Sequence, residues 1–357
     1  MAKDATLPWT RRHWRLTLGF ALVAAIVIAV LSIGAGAVQI EPNRVIVALW
    51  QIVSAPRAEA DSQDLVILRE IRLPRVLLAA LAGGALATCG VLMQAFFRNP
   101  LADPALIGVA TGGALGAVAV IVLGASVLSG LTAVLATVAL PVAAFFGSLV
   151  TTIAIYLLSR REGVVDATGM LLAGIAVNAI AGAGIGLLTF LATDTQLRNL
   201  TFWSLGSLSA SGWGHVKVVA VASLVLLLAL PFLVKPLNAL LLGDSEARHL
   251  GVDVERLKVA LLVLTSLSAG AVVATCGVVG FVGLIAPHFA RLLVGPDHRA
   301  QLPLATLIGS ALMCFADTIA RTAVAPAELP LGVLTALAGG PLFLWMLSRR
   351  RGAAFHV

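Results

Sequence analysis

Charge is what this 357-residue chain has least of. Asp, Glu, Lys and Arg make up 11% of it, less than half the roughly 25% of an average soluble domain. The lysines are Lys3, Lys217, Lys235 and Lys258, and none follows a glycine, so no GxxxxGK[ST] loop can cradle ATP phosphates. HExxH and GxSxG are missing, so no catalytic set is predicted. Active transport by this chain would need an ATPase on another chain, or an ion gradient. Cys89, Cys276 and Cys314 are an odd set without CxxC spacing, each inside an apolar run. They read as small buried hydrophobes, not as a disulfide or metal site. The net charge of +7 comes without aromatic-interleaved basic patches, so it does not point to nucleic acid.

What the chain has is apolar length. Hydrophobic residues make up 60% of it, and the mean hydropathy is +1.03. A helix needs about 20 apolar residues to cross a bilayer. The runs are continuous and not alternating, which selects helices over a barrel. They place ten spans at roughly 16–38, 75–96, 105–124, 131–157, 168–190, 215–234, 258–276, 279–294, 303–320 and 331–347. The eighth is interrupted by Pro287, His288 and Arg291. The expected fold is an all-α membrane protein, a single polytopic domain over residues 1–357. The run from Leu16 to Val38 outlasts the roughly 7–15-residue core of a signal peptide, so it reads as the first span. An even number of spans then places both termini in the cytoplasm.

The positive charges test that orientation. Sixteen of the 24 Lys and Arg residues fall on the inner side and eight on the outer, the sense of the positive-inside rule. The outer arginines nevertheless crowd the start of span two, on the side that disfavours them, which suggests a task. The acids lie almost wholly in loops. Asp317 alone sits inside a span, four residues before Arg321, the spacing of a helical ion pair. Carriers driven by protons or sodium bury carboxylates in their spans. An ion-coupled carrier is therefore the second reading, not the first.

Small residues carry a further pattern. Ala87-Thr88-Cys89-Gly90-Val91 recurs as Ala274-Thr275-Cys276-Gly277-Val278, at an offset of 187 residues. The copies fall in spans two and seven, an odd number of spans apart, so they would face opposite ways, as in an inverted-repeat transporter. Gly108, Gly112 and Gly116 form a ladder down span three, and Gly182, Gly184 and Gly186 crowd span five. Such residues let helices approach closely in lipid, and span five has more of them than packing needs.

Two polar segments stand out. Arg72 and Arg75 open span two, and the hairpin Arg98-Asn99-Pro100-Leu101-Ala102-Asp103-Pro104 joins it to span three. The loop between spans six and seven, residues 235–258, can form a stub helix capped by Asp244 or Ser245 and ended by Gly251. A short helix of this kind suits a groove in another protein.

The stretch from Arg72 to Gly116 resembles the signature region of the permease subunits of type II ABC importers, the FecCD family, which take up cobalamin, iron siderophores or haem. GFVGLIAPHFARLLVGPDHRAQLP (280–303) and ADTIARTAVAPAELPLGVLTALAGGPLFLW (316–345) extend the likeness over nearly all of residues 70–347. The resemblance implies a homodimer with an inverted repeat, two ATP-binding cassette subunits that hold ATP and Mg, and a periplasmic substrate-binding protein. The chain itself would bind no cofactor and no metal, and would sit in the bacterial inner membrane. Arg72, Arg75 and Arg321 match arginines that receive the binding protein's carboxylates. Gly243, Asp244, Ala247, Leu250 and Gly251 match the coupling helix that sits on the ATPase. Asn99 and Leu101 match one cytoplasmic gate loop and Thr168 another, where Ala167 departs from the pattern. The outer segment from Asp194 to Trp213 is most similar to the haem permeases, with Phe202 and Trp203 as flat apolar surface for a macrocycle and Asn178 as a further pathway residue. His288, Met93, Met170 and Met313 have the chemistry of axial iron ligands but read as packing. The function implied is import of haem by alternating access, with ferric siderophore and then cobalamin as alternatives.

Overall fold

Backbone N–H and C=O groups find no water inside a bilayer, so a chain of long apolar runs must satisfy them within helices. The computed structural model follows that rule. It describes residues 9–36, 63–124, 129–161, 164–165 and 167–354, with residues 43, 45–47, 50 and 54 between them. The helices are α1 (Trp14–Gly34), α2 (Leu73–Phe96), α3 (Val109–Leu123), α4 (Ser129–Ser159), α5 (Ala167–Leu191), α6 (Asp194–Ser204), α7 (Trp213–Leu240), α8 (Asp244–His249), α9 (Val254–Cys276), α10 (Val282–Val294), α11 (His298–Thr322) and α12 (Leu331–Ala354). The ten expected spans are these helices without the short α6 and α8. Seven are long and apolar enough to cross a membrane, and Val109–Leu123, Val282–Val294 and Leu331–Leu344 are shorter apolar helices. The described strand is one two-residue antiparallel pair, Arg160–Arg161 against Val164–Val165.

Two local details depart from the reading of the sequence. Span eight begins at Val282, not 279, because the chain turns through Gly277 (φ 71°) and Phe281 (φ 66°) first. Phe281 takes this left-handed geometry against Gly339, where a Cβ would lie 2.3 Å from its ring. Span two is preceded by a π-helical turn, Ile67–Arg72, that runs straight into it. Pro74 has no N–H and its ring crowds the carbonyl four residues back. The backbone opens by one residue just before it, and the Leu73 N–H reaches the Leu68 carbonyl.

α2 is the axis of the bundle. In its apolar stretch 83% of residues are buried, against 11% in α5 and 17% in α1. It packs on α7, α9, α10 and α11. Lipid tails are as apolar as leucine, so helices associate in a bilayer through close packing of small residues. A Cβ on Gly90 would lie 1.8 Å from the Gly283 carbonyl oxygen of α10, and one on Gly83 would lie 2.2 Å from that of Gly309 in α11. The ladder in α3 works the same way, since a Cβ on Gly112 would lie 2.4 Å from the Gly147 carbonyl oxygen of α4.

The neighbours of each helix carry the internal repeat. α3 packs on α4 as α10 packs on α11; α2 packs on α11 as α9 packs on α4; α2 meets α10 as α9 meets α3. The two halves are thus α2–α5 and α9–α12, with α2 and α9 in mutual contact. The repeated pentapeptide does not keep one local structure: Gly90 is in mid-helix, whereas Gly277 ends α9.

Gly90→Ala should cost about 1–3 kcal/mol through forced separation of α2 and α10, read as a loss of thermal stability in detergent. Gly19→Ala, on an open face, should be neutral, and equal effects of the two would refute this account of the packing.

Candidate functional site

At one end of the bundle three arginines converge. Arg72, Arg75 and Arg321 are each less than 10% exposed. Burying a guanidinium is costly unless every donor is met, and here the chain meets nearly all of them. Arg72 Nη1 donates to the carbonyls of Ile33 (2.8 Å) and Gly34 (2.7 Å). Arg321 Nη1 donates to the Ala35 carbonyl (2.8 Å), and its Nη2 to the Ser32 carbonyl and to Ser32 Oγ. These are the last carbonyls of α1, which have no helical partner and carry the negative end of its dipole. Two cations, one from the π turn before α2 and one from α11, therefore cap the first span.

Arg75 faces the other way. Its Nε and Nη2 lie 2.9 Å from Asp317 Oδ1, and its two Nη atoms form a fork with Glu328 at 2.8 and 3.0 Å. Asp317 also lies 3.3 Å from Arg321 Nε, so the expected i,i+4 pair exists but is the weaker half of a shared carboxylate. The Arg321 Nε is left without a hydrogen bond. Glu328 is in the loop before α12, and the hydrogen bond from Arg75 holds its carboxyl below the usual range despite partial burial. The three arginines expected to face a partner thus engage this chain's own groups.

At the opposite end lies the stub helix α8. Its start differs from the expected one. Gly243, with φ 114°, precedes the helix, and neither Asp244 nor Ser245 caps it. The Asp244 carboxylate is engaged elsewhere: Lys258 Nζ is 2.7 Å from Oδ2 and Arg98 Nε is 3.6 Å from Oδ1. Gly251 does end the helix. Its N–H bonds to the Arg248 carbonyl and the Val252 N–H to that of Ala247, the paired closure that a left-handed glycine permits. Ala247 is fully buried, while Leu242 and Leu250 are exposed. The stub is anchored by one face and presents the other.

Lys258 is 3% exposed and also donates to the Val165 carbonyl (3.1 Å). Glu255 accepts from the Val165 N–H (2.9 Å) and from Arg248 (3.1 Å). The stub, the start of α9, the hairpin after α2 and the strand pair before α5 are thereby pinned together. Burial alone would raise the Asp244 pKa, but the hydrogen bond and charge of Lys258, with Arg98 and Arg248, outweigh it and hold the group below the ordinary value. Sequence reasoning missed this knot. Its signal was a lysine inside the apolar start of span seven.

The remaining candidates are dispersed. Asn99 is exposed, and its side-chain oxygen accepts from the Leu101 N–H (3.0 Å), which fixes the hairpin. Leu101 is half-buried and Thr168 exposed, while Glu162, Gly163 and Asp166 of the second gate loop lie outside the described residues. Asn178 is half-buried on α5 and bonded to Thr111 of α3. Phe202 is exposed on α6, whereas Trp203 packs into the bundle beside Ala117, Ala144 and Ala274. Met93, Met170 and Met313 are fully buried in the helix packing. Around Gly182 and Gly186 on α5 there is open space.

Removing Asp317 would leave the buried Arg321 guanidinium without a carboxylate and Arg75 with Glu328 alone. Asp317→Leu should cost about 3–5 kcal/mol, measured by denaturant unfolding in mixed micelles. The double variant with Arg321→Leu should recover part of that loss. If the double variant is worse by the full sum of the singles, the groups are not coupled.

The comparisons agree on a family. Residues 23–349 match the model of the FecCD transport family. The chain is 44% identical over 341 residues to the hemin transport system permease protein HmuU of Yersinia pestis, covering 94% of this chain and 96% of that one. It is 42% identical over 292 residues to the cobalamin import system permease protein BtuC of Halobacterium salinarum, covering 80% of this chain and 74% of the relative. An inward-facing ABC transporter assigned to the metal-chelate type superposes with a TM-score of 0.80 at 30% identity, over 94% of this chain and 99% of that one. With ten apolar helices, a related inward-facing transporter structure and a family match over most of its length, the chain belongs to the FecCD transport family and is a multi-pass permease of the type II ABC importer class.

Proposed function

We propose that this permease imports haem across the bacterial inner membrane as a homodimer, with both termini in the cytoplasm. The observation that carries the cargo is the 44% identity to a hemin permease along almost the whole chain. The likeness to a cobalamin permease is nearly as high but covers less of it. Ferric siderophore and cobalamin are therefore the competing cargoes. The α5 face, with Ile175, Ile180 and Phe190 exposed and open space at Gly182 and Gly186, would meet the second copy and line the central path. Asn178, Phe202 and Trp203 would flank it.

Transport would run by alternating access. Two ATP-binding cassette subunits would hold ATP and Mg and grip the stub at Gly243, Asp244, Ala247, Leu250 and Gly251. Movement of the stub would pass through Lys258 to the strand pair and through Arg98 to the hairpin, so that Asn99, Leu101 and Thr168 open or close the inner mouth. At the other end a loaded binding protein would dock on Arg72, Arg75 and Arg321. The internal pairing makes this an exchange: an incoming carboxylate would take the Arg75 fork while Glu328, the most exposed acid of the cluster, swings out. No cofactor or metal would reside in this chain.

Proteoliposomes with the ATPase and the binding protein should take up haem in preference to a ferric siderophore or cobalamin, and an ATPase-dead partner should abolish it. Preference for another chelate would keep the mechanism and overturn the cargo. Deleting residues 243–251 should abolish uptake while leaving the bundle folded, as should Lys258→Met to a lesser degree, about tenfold in rate. ATP-linked uptake by the deletion variant would overturn the role of the stub. Arg75→Ala should weaken binding-protein affinity, measured by surface plasmon resonance on nanodiscs.

A further inference from the structure

Where α2, α7, α10 and α11 end together, on the side of the stub helix, they enclose a cavity of about 120 Å³. Gln94, Arg98, Arg291, His298 and Gln301 line it, with apolar wall from Leu240 and its neighbours. Three observations make it a site and not a packing gap. Gln94 is 5% exposed, and neither its amide nitrogen nor its amide oxygen has a hydrogen-bond partner. Buried carboxamides are otherwise satisfied. The Arg291 side chain, half-buried on α10, makes no hydrogen bond or ion pair with any described residue. Arg98 stands at the rim with a left-handed backbone (φ 47°), a conformation that a long side chain adopts at a cost, and among the described residues its guanidinium is tethered by the 3.6 Å pair with Asp244.

The donors select the ligand. Two guanidinium groups and an unpartnered amide NH₂ line it, Gln94 and Arg98 from the end of α2 and the hairpin that follows it, Arg291 from α10. A carboxylate would be satisfied by a single arginine fork, whereas a tetrahedral phosphate offers oxygens in several directions at once. A cation is excluded by the two arginines. Water alone would satisfy Gln94 but leave the positive charge of Arg291 unmatched. His298 is already held, its Nδ1 lying 2.8 Å from Asn238 Oδ1, and serves as wall. We propose that this cavity binds a phosphate group, clasped by Arg98 and Arg291 with Gln94 as the third donor. The ligand is either the phosphodiester of an anionic lipid headgroup or inorganic phosphate. Basic pockets between helix ends at the membrane surface suit the former. Because Arg98 also pairs with Asp244, an occupied site would loosen the hold of the hairpin on the stub. The inference depends on the membrane-spanning fold and not on the cargo.

The test uses the full-length permease without its partners. Protein extracted from nanodiscs of phosphatidylglycerol or of phosphatidylcholine is analysed by native mass spectrometry. Delipidated protein is titrated with inorganic phosphate against chloride at equal ionic strength, with melting temperature as the readout. Retention of about one phosphatidylglycerol per chain, weakened roughly tenfold in Arg291→Gln and less in Arg291→Lys, is the expected result. Thermal protection by phosphate without lipid retention assigns the site to the free anion. Gln94→Leu, which should lower binding without touching charge, covers the case in which Arg291→Gln does not fold. If wild type and both variants respond alike to both probes, the cavity holds water and the proposal is overturned.

Discussion

The carboxylate of Asp317 holds the arginine end together. It is 1% exposed and sits between guanidinium groups from α2 and α11. Without it, Arg321 would be a buried cation with no carboxylate and Arg75 would depend on Glu328 alone, an arrangement that lipid tolerates poorly. With it, Arg321 can be turned toward the end of α1, whose carbonyls it shares with Arg72. The first span has only 17% of its apolar stretch buried, so polar capping and not packing fixes where it ends. The close contact of α2 with α11 at Gly83 and Gly309 keeps the two halves of the cluster in register.

The two ends of the bundle solve opposite problems with the same chemistry. At the arginine end, buried charge is neutralised between α2, α11 and the loop before α12. At the stub end, Lys258 and Glu255 tie together the strand pair before α5, the stub and the start of α9. Asp244 stays ionised above the ordinary carboxylate pKa near 4, and its contribution is lost only as the pH falls through its lower folded value. The linkage therefore holds throughout the physiological range.

Much of this was legible in the chain. Continuous apolar runs placed all ten apolar helices, seven long and three shorter, because in lipid the backbone has no other solution, and the Asp317–Arg321 spacing predicted a pair that exists. The glycine ladder in span three marked a real close approach to α4. What the sequence could not show was competition for partners. Arg75 read as outward-facing because nothing in its neighbourhood along the chain neutralises it; Asp317 and Glu328 are more than 240 residues away. Asp244 read as a helix cap because that is its local option, and Lys258 won it through a contact that only the fold supplies. Likewise the π turn follows from Pro74, yet its length depends on how α2 is seated.

That π turn sets a phase. One extra residue in Ile67–Arg72 turns everything upstream by about 100° relative to a continuous α-helix, while the buried faces of α2 downstream stay where they are. Arg72, joined directly to Leu73, keeps the phase of α2 and reaches the end of α1, whereas Arg69 and Glu70 lie on the shifted side of the turn. The segment acts as a vernier between core and rim. Losing or gaining a single residue there would re-aim the side chains upstream of Leu73, Arg69 and Glu70 among them, and would shift Leu68, the one residue of the turn that is fully buried in the core, so the rim can be varied at the cost of one core contact while the packing of α2 itself is kept.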